Sequence, residues 1–344
     1  MDLSGSYFDI GRTHGESHRD TIRAFLSNVE ERALLGRDTQ DAEARIVDRA
    51  AQYRRVLEEQ VPHLAEEVEG LAAGAGISWH DAIVLQYRRE LAYDAEAVAG
   101  ECTLVGLRDP AGCALLAQNV DLVGRMTALG TVMRIRHPEP DVPRALTYTF
   151  AGLLGFLGMN EAGLAIGINL LHAEDWRIGV SPYLLVRHLL RCQTVSQCIE
   201  EISRIPRSSS RALTISDPRE TVTVEMSVTQ FDVQQAPVLC QTNHFLSERL
   251  AKIDRLHVFS RNASRKRREI ALNKVSALPG DDLVGDLFAL LSDHSMYPLG
   301  LCVHAEGHSH REETVASIVM EPQQGRMHVR RGHPCGAETQ TFAI

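Results

Sequence analysis

Apolar and polar positions divide the chain into blocks. In Thr21–Val29 the apolar residues fall at helical intervals, and Val56–Leu71 repeats the spacing. The second run should stop within Ala73-Gly74-Ala75-Gly76, because glycine commonly ends helices. Ser78-Trp79-His80-Asp81 then opens another helix running towards Ala95. The pattern changes at Cys102. Thr103–Leu107 is short, apolar and strand-like, Asp109-Pro110-Ala111-Gly112 has turn chemistry, and Ala114–Asp121 is a second strand. Further strands are expected at Thr131–Arg136, Ala145–Phe150 and Leu164–Asn169. Ser181-Pro182 supplies an N-cap and a first-turn proline for a helix through Leu190. Ser210–Ser216 and Thr221–Val228 form a hairpin around Asp217-Pro218. Two helices are expected near 246–275 and 282–292, then strands at Ala316–Met320 and Met327–Arg330.

Blocks of helices and blocks of strands point to α+β layers rather than alternating βαβ units. With no repeat, low-complexity linker or composition shift, residues 1–344 read as one domain. A hydrophobic share of 44% and a charged share of 24% suit a globular core. A net charge of −9 disfavours nucleic acid as a partner. No apolar run reaches the roughly 20 residues of a membrane span, and Met1–Gly5 lacks the features of a signal peptide. Seven cysteines, an odd number without CxxC spacing, read as free thiols in a reducing compartment. The expectation is a soluble, cytoplasmic protein.

Chemistry concentrates at the junction of Glu101 and Cys102, where a helical segment gives way to a strand. With the hairpin turn centred on Pro110-Ala111, Cys102 falls opposite Asn119, and Asp121 lies just past the strand's start. A carboxylate and an amide would then stand beside the peptide bond preceding Cys102. On pattern alone, Cys102 reads first as a small buried residue at a strand start.

Six stretches bear on that choice: Phe8-Asp9-Ile10-Gly11-Arg12-Thr13-His14-Gly15, Glu101-Cys102-Thr103, Ala117-Gln118-Asn119-Val120-Asp121, Gly158–Leu164, Gln241-Thr242-Asn243-His244 and Tyr297-Pro298-Leu299-Gly300-Leu301-Cys302. In content and order they resemble the isopenicillin N acyltransferase family of cysteine N-terminal nucleophile hydrolases, along nearly the whole chain. The resemblance implies a four-layer αββα sandwich made as an inactive precursor. It further implies cutting between Glu101 and Cys102 into chains 1–101 and 102–344 that stay together. Cys102 would be the nucleophile of a thioester intermediate and its freed α-amine the general base, since such an amine has a pKa of roughly 7.7–8.0. Asn243 matches the oxyanion-hole amide and Asp121 the carboxylate that supports processing and orients the site. His14 and Gly15 are assigned structural roles. Where the family has arginine after Cys302, this chain has Val303 followed by His304. Asn119, His244, Val303 and His304 are candidate substrate contacts.

The expected partners are a small-molecule amide or acyl-thioester of specialised metabolism and, for transfer, an amine acceptor. No cofactor and no metal is expected: His304, Glu306, His308 and His310 read as a polar loop rather than a zinc site. Two alternatives stay open, a papain-like thiol enzyme using His244 and a non-maturing binding or scaffold protein. The basic stretch Arg261–Arg268 reads as a solvated helix face. Gly152, Gly155 and Gly158 lie between strands and make no phosphate cradle.

Overall fold

The computed structural model describes residues 1–28, 40–91, 101–173, 175–297, 300–305 and 312–344. The helices are α1 (Tyr7–Ser17), α2 (Arg19–Ser27), α3 (Gln40–Gln60), α4 (Pro62–Ala75), α5 (Trp79–Gln86), α6 (Arg88–Leu91), α7 (Pro182–Leu189), α8 (Val195–Arg204), α9 (Val258–Val275) and α10 (Leu283–Leu291). The first strands are β1 (Asp2–Leu3), β2 (Glu101–Arg108), β3 (Ala114–Val123), β4 (Gly130–Ile135), β5 (Ala145–Phe150), β6 (Leu157–Asn160) and β7 (Ala165–Leu170). The rest are β8 (Arg211–Ser216), β9 (Thr221–Met226), β10 (Phe231–Gln234), β11 (Val238–Gln241), β12 (Glu312–Glu321), β13 (Arg326–Arg331) and β14 (Thr339–Ala343).

The strands form an eight-stranded sheet, β1-β4-β5-β6-β7-β8-β9-β10, and a six-stranded sheet, β11-β2-β3-β12-β13-β14. Strand alternation sorts β2 and β3 between two partners. Val105, Leu107, Leu115 and Ala117 pack with Leu287, Phe288 and Leu291 of α10 and Ala271 of α9. Leu104 and Gln118 face the other sheet instead. There a Cβ on Gly167 would sit 2.1 Å from Leu104 Cδ1, so the glycine lets the sheets close. The Gln118 amide reaches across to the Ile168 carbonyl at 2.6 Å. The N-terminal helices share the larger hydrophobic cluster with the eight-stranded sheet. The αββα sandwich implied by the resemblance is the observed architecture.

Several boundaries differ from the sequence reading. The run through Leu71 is two helices, α3 and α4, because Pro62 has no N–H to donate and starts α4 at its first turn. Gly76 closes α4 in the left-handed conformation, φ 61°, as its position suggested. The helix from Ser78 stops at Gln86, followed by the short α6; residues 92–95 of the expected extension lie outside the described residues. The helix expected from 246 begins only at Val258, where the His257 ring caps it. The hairpin loop is one residue longer than expected, with Gly112 at φ 85°, so Cys102 pairs with Val120 and Thr103 with Asn119.

The N-terminal motif packs α1 closely onto α4. A Cβ on Gly11 would lie 1.9 Å from the Glu67 carbonyl oxygen, and one on Gly74 would lie 2.0 Å from that of Arg12. Backbone contact between α1 and α4 thus excludes any larger residue there. His14 is buried and its Nε2 accepts from the Gly152 N–H at 3.1 Å. Burial pushes its pKa down to about 3. His137 accepts from Arg187 at 2.8 Å and is likewise pushed down to about 3, by burial and then by that guanidinium.

A pH dependence follows. The unfolded chain takes up a proton on each of these rings near pH 6.5 whereas the fold does not. Their contribution to stability is therefore complete above that pH and is lost as pH falls from about 6.5 towards about 3. Each ring removes about 1.4 kcal/mol per pH unit within the window. Ring resonances of His14 and His137 should not titrate between pH 5 and pH 8. A midpoint near 6.5 for either would refute the assignment.

Candidate active site

Cys102 stands second in β2, a central strand with β3 on one side and β11 on the other. The β2–β3 pairing sets Asp121 opposite Glu101. The β2–β11 pairing sets Gln241 opposite Leu104, and carrying that register onward brings Asn243 to Cys102. The Cys102 N–H donates to Asn243 Oδ1 at 3.0 Å. Two neighbouring strands thus deliver an amide and a carboxylate to the first residues of β2.

Further groups complete the surroundings. Arg267, on α9 and fully buried, donates from Nη2 to Asn243 Oδ1 at 2.9 Å. Its Nη1 donates to the Cys102 carbonyl at 2.9 Å and to Thr103 Oγ1 at 3.1 Å. Asn169, on β7 of the facing sheet, donates to the same Cys102 carbonyl at 3.3 Å and to that of Gln241 at 3.2 Å. Because Oδ1 of Asn243 receives two donors, its amide orientation is fixed, and Nδ2 turns towards the Leu170 carbonyl at 3.2 Å.

Asp121 is fully buried, and Thr314 Oγ1 donates to its Oδ1 at 2.7 Å. A register shift in β12 between Thr314 and Ala316 aims that hydroxyl, as bulges commonly re-aim side chains. Thr314 Oγ1 in turn accepts from the Val303 N–H at 3.0 Å. Val303 therefore meets the site through its backbone, by way of Thr314.

Cys102 is buried, 5% exposed as a residue. Burial first, and the Asp121 carboxylate second, push its pKa up to about 12; the Asp121 backbone N–H and Arg267 offset part of this. The thiol of the uncut chain is accordingly protonated at neutral pH and a weak nucleophile.

The other candidates fall elsewhere. Asn119 faces away from Cys102, its Nδ2 donating to the Leu291 and Leu301 carbonyls at 2.8 and 2.7 Å and its Oδ1 accepting from Ser317. His244 follows Asn243, but its Nδ1 is 2.8 Å from Ser264 Oγ and 3.2 Å from Thr242 Oγ1. Burial, then the guanidinium groups of α9, push its pKa down to about 4, so the ring is neutral. His304 turns towards His294, with 3.0 Å between their Nε2 atoms. Glu306, His308 and His310 lie outside the described residues, as do Pro298 and Leu299.

Sequence reading missed Arg267, Asn169 and Thr314. For Arg267 a signal existed. Ala263, Ser264, Arg267 and Ala271 recur at helical spacing and form the buried face of α9, so the basic stretch is not uniformly solvated.

Comparison with known proteins agrees with this architecture. Over 347 residues the chain is 27% identical to the acyl-coenzyme A:6-aminopenicillanic-acid-acyltransferase 40 kDa form of Emericella nidulans, covering 99% of this chain and 94% of that one. Among solved structures, penicillin V acylase from Agrobacterium tumefaciens superposes with a TM-score of 0.50 at 14% identity, over 71% of this chain and 86% of that one. The Caenorhabditis elegans N-acylethanolamine-hydrolyzing acid amidase ortholog gives 0.47 at 15% identity, over 71% and 100%. The fold is that of N-terminal nucleophile hydrolases, and among the described residues no helix is long and apolar enough to cross a membrane. The model of the acyl-coenzyme A:6-aminopenicillanic acid acyl-transferase family matches residues 108–335, most of the chain and nearly all of it beyond the first strand of the site. This chain belongs to that family.

Proposed function

We propose that the protein is a self-processing cysteine enzyme that takes an acyl group from a small amide or acyl-thioester and passes it to water or to an amine. The observation that carries this reading is the hydrogen bond from the Cys102 nitrogen to Asn243 Oδ1, at a cysteine flanked by Asp121 and Arg267. In the precursor the Cys102 thiol adds to the Glu101 carbonyl and the peptide becomes a thioester. Water then releases the Glu101 carboxylate and leaves an α-amine on Cys102. That amine inherits the hydrogen bond to Asn243, which points its lone pair for proton transfer from the thiol.

In turnover, Cys102 forms a thioester with the substrate acyl group as the amine or thiol portion leaves. Water or an acceptor amine attacks that thioester, and both outcomes share the one intermediate. The fungal relative's name pairs an acyl-coenzyme A donor with an amine acceptor, and the bacterial neighbour's describes an acylase; small acyl-amides of specialised metabolism fit both. Asn243 Nδ2 is the donor assigned to the oxyanion. Arg267, from α9, sets a cation against the Cys102 carbonyl and Asn243, whereas Val303, after Cys302, offers none.

Intact mass spectrometry tests the processing step. Active protein should contain chains 1–101 and 102–344, co-purifying without a disulfide because their residues share one hydrophobic cluster. An active preparation consisting only of the uncut 38.1 kDa chain overturns it, and an uncut, inactive one favours a binding or scaffold protein.

A further inference from the structure

Away from Cys102, three separate segments bring sulfur and imidazole together. His294 lies just past the end of α10, Cys302 and His304 precede β12, and Cys335 sits in the turn after β13. Their ligand atoms all lie within 4.8 Å of one another. The two Sγ atoms are 3.8 Å apart, His304 Nε2 is 3.4 Å from Cys302 Sγ and 3.5 Å from Cys335 Sγ, and the two Nε2 atoms are 3.0 Å apart.

Hydrogen bonding is a poor account of this arrangement. A single ring nitrogen carries either one proton or one lone pair, yet His304 Nε2 has three such neighbours. A shared centre accounts for it better. With zinc–sulfur bonds of about 2.3 Å and zinc–nitrogen bonds of about 2.0–2.1 Å, a tetrahedron has edges of about 3.8 Å between sulfurs, about 3.5 Å between sulfur and nitrogen and about 3.3 Å between nitrogens. The sulfur pair and both sulfur–His304 separations match that set, the nitrogen pair needs a small outward shift, and the His294 ligand nitrogen lies within 4.8 Å of both sulfurs.

We propose that His294, Cys302, His304 and Cys335 form a structural zinc site. Binding releases one proton from each thiol, and two thiolates with two neutral imidazoles give an uncharged complex. Four protein ligands leave no open position, which is the mark of a structural rather than a catalytic zinc. The His304 ring also stacks on His333 at 3.9 Å, and His333 Nε2 is 3.1 Å from Glu313 Oε2, so the ligand's ring plane is braced. The sequence reading considered His304 only with Glu306, His308 and His310 and expected no metal; the partners that the fold gives it are remote in sequence. The site would clamp the 300–305 segment, whose Leu301 carbonyl holds Asn119 and whose Val303 N–H holds Thr314 against Asp121.

The test uses the full chain, reduced and then exposed to Zn2+ or Co2+ and freed of excess metal. One zinc per chain is expected by elemental analysis, together with the intense visible bands of tetrahedral thiolate-bound cobalt. Cys335→Ser and His294→Ala, both at exposed positions, should weaken zinc binding by more than the roughly 10–100-fold that loss of an outer partner costs. Cys113→Ser should leave stoichiometry and spectrum unchanged. Reduced wild-type protein that retains no zinc and gives only the pale spectrum of octahedral cobalt overturns the proposal. So does a Cys302–Cys335 disulfide whose reduction yields no metal binding. Neither readout depends on the assignment of Cys102.

Discussion

Cys102→Ala should be isolated as a single uncut chain with no detectable turnover, because in the proposed mechanism one atom serves both reactions. The same sulfur must add to the Glu101 carbonyl during processing and to the substrate carbonyl afterwards. The variant should fold, since alanine leaves the β2–β3 and β2–β11 pairings intact and removes only a thiol at a 5% exposed position. Cys113→Ala is the control. Cys113 lies in the hairpin loop, and its backbone carbonyl, which any residue supplies, accepts from the Asp109 N–H at 2.8 Å. That variant should be cut and should keep most of its activity. Equal behaviour of the two variants in mass spectrometry and a turnover assay would remove Cys102 from the mechanism.

The high thiol pKa of the uncut chain fits this dual role. Burial and Asp121 keep the proton on the resting sulfur of the uncut chain, and in the proposed processing it passes to the departing Cys102 nitrogen as the sulfur adds to the Glu101 carbonyl. In the proposed cut form, an α-amine of roughly pKa 7.7–8.0 stands on the same residue. On the proposed mechanism, processing supplies the base that the precursor lacks, and no histidine is needed near the sulfur. The neutral His244, with Nδ1 held by Ser264, is consistent with that division of labour.

What was legible in the sequence depended on how local the signal was. Period-two runs such as Ala145–Phe150 gave strands to the residue, and Ser181-Pro182 marked its helix start because cap and proline act within one turn. Signals requiring a count across a loop fared worse. One extra loop residue at Gly112 moved Cys102 from Asn119 to Val120 and turned Asn119 to the helical layer. The strand that delivers Asn243, Val238–Gln241, went unread because it is four residues long and follows Gln234-Gln235-Ala236-Pro237. Arg267 was hidden among neighbouring charges, since composition ignores which side of a helix each charge occupies. The cysteine and histidine cluster draws on positions 294, 302, 304 and 335, and only tertiary folding joins them.

The second large effect is expected at Asn243, where two substitutions separate two roles of one amide. Asn243→Ala removes both the Oδ1 acceptor that holds the Cys102 nitrogen and the Nδ2 donor assigned to the oxyanion. A loss in kcat of roughly two to three orders of magnitude is expected, the usual cost of one oxyanion donor. Asn243→Asp keeps an acceptor for the Cys102 nitrogen and for Arg267, but has no N–H and carries negative charge where the oxyanion forms. It should be at least as slow as the alanine variant if the donor matters most. Recovery of most activity in the aspartate variant would instead mean that Asn243 works only by orienting the amine. His244→Ala should cost far less than either, since it removes contacts with Ser264 and Thr242 and no proton-transfer group. Steady-state kinetics on all three, after mass spectrometry has fixed their processing state, decide the matter. A His244→Ala loss exceeding that of Asn243→Ala in fully cut protein would assign the proton transfer to the imidazole and refute the α-amine mechanism.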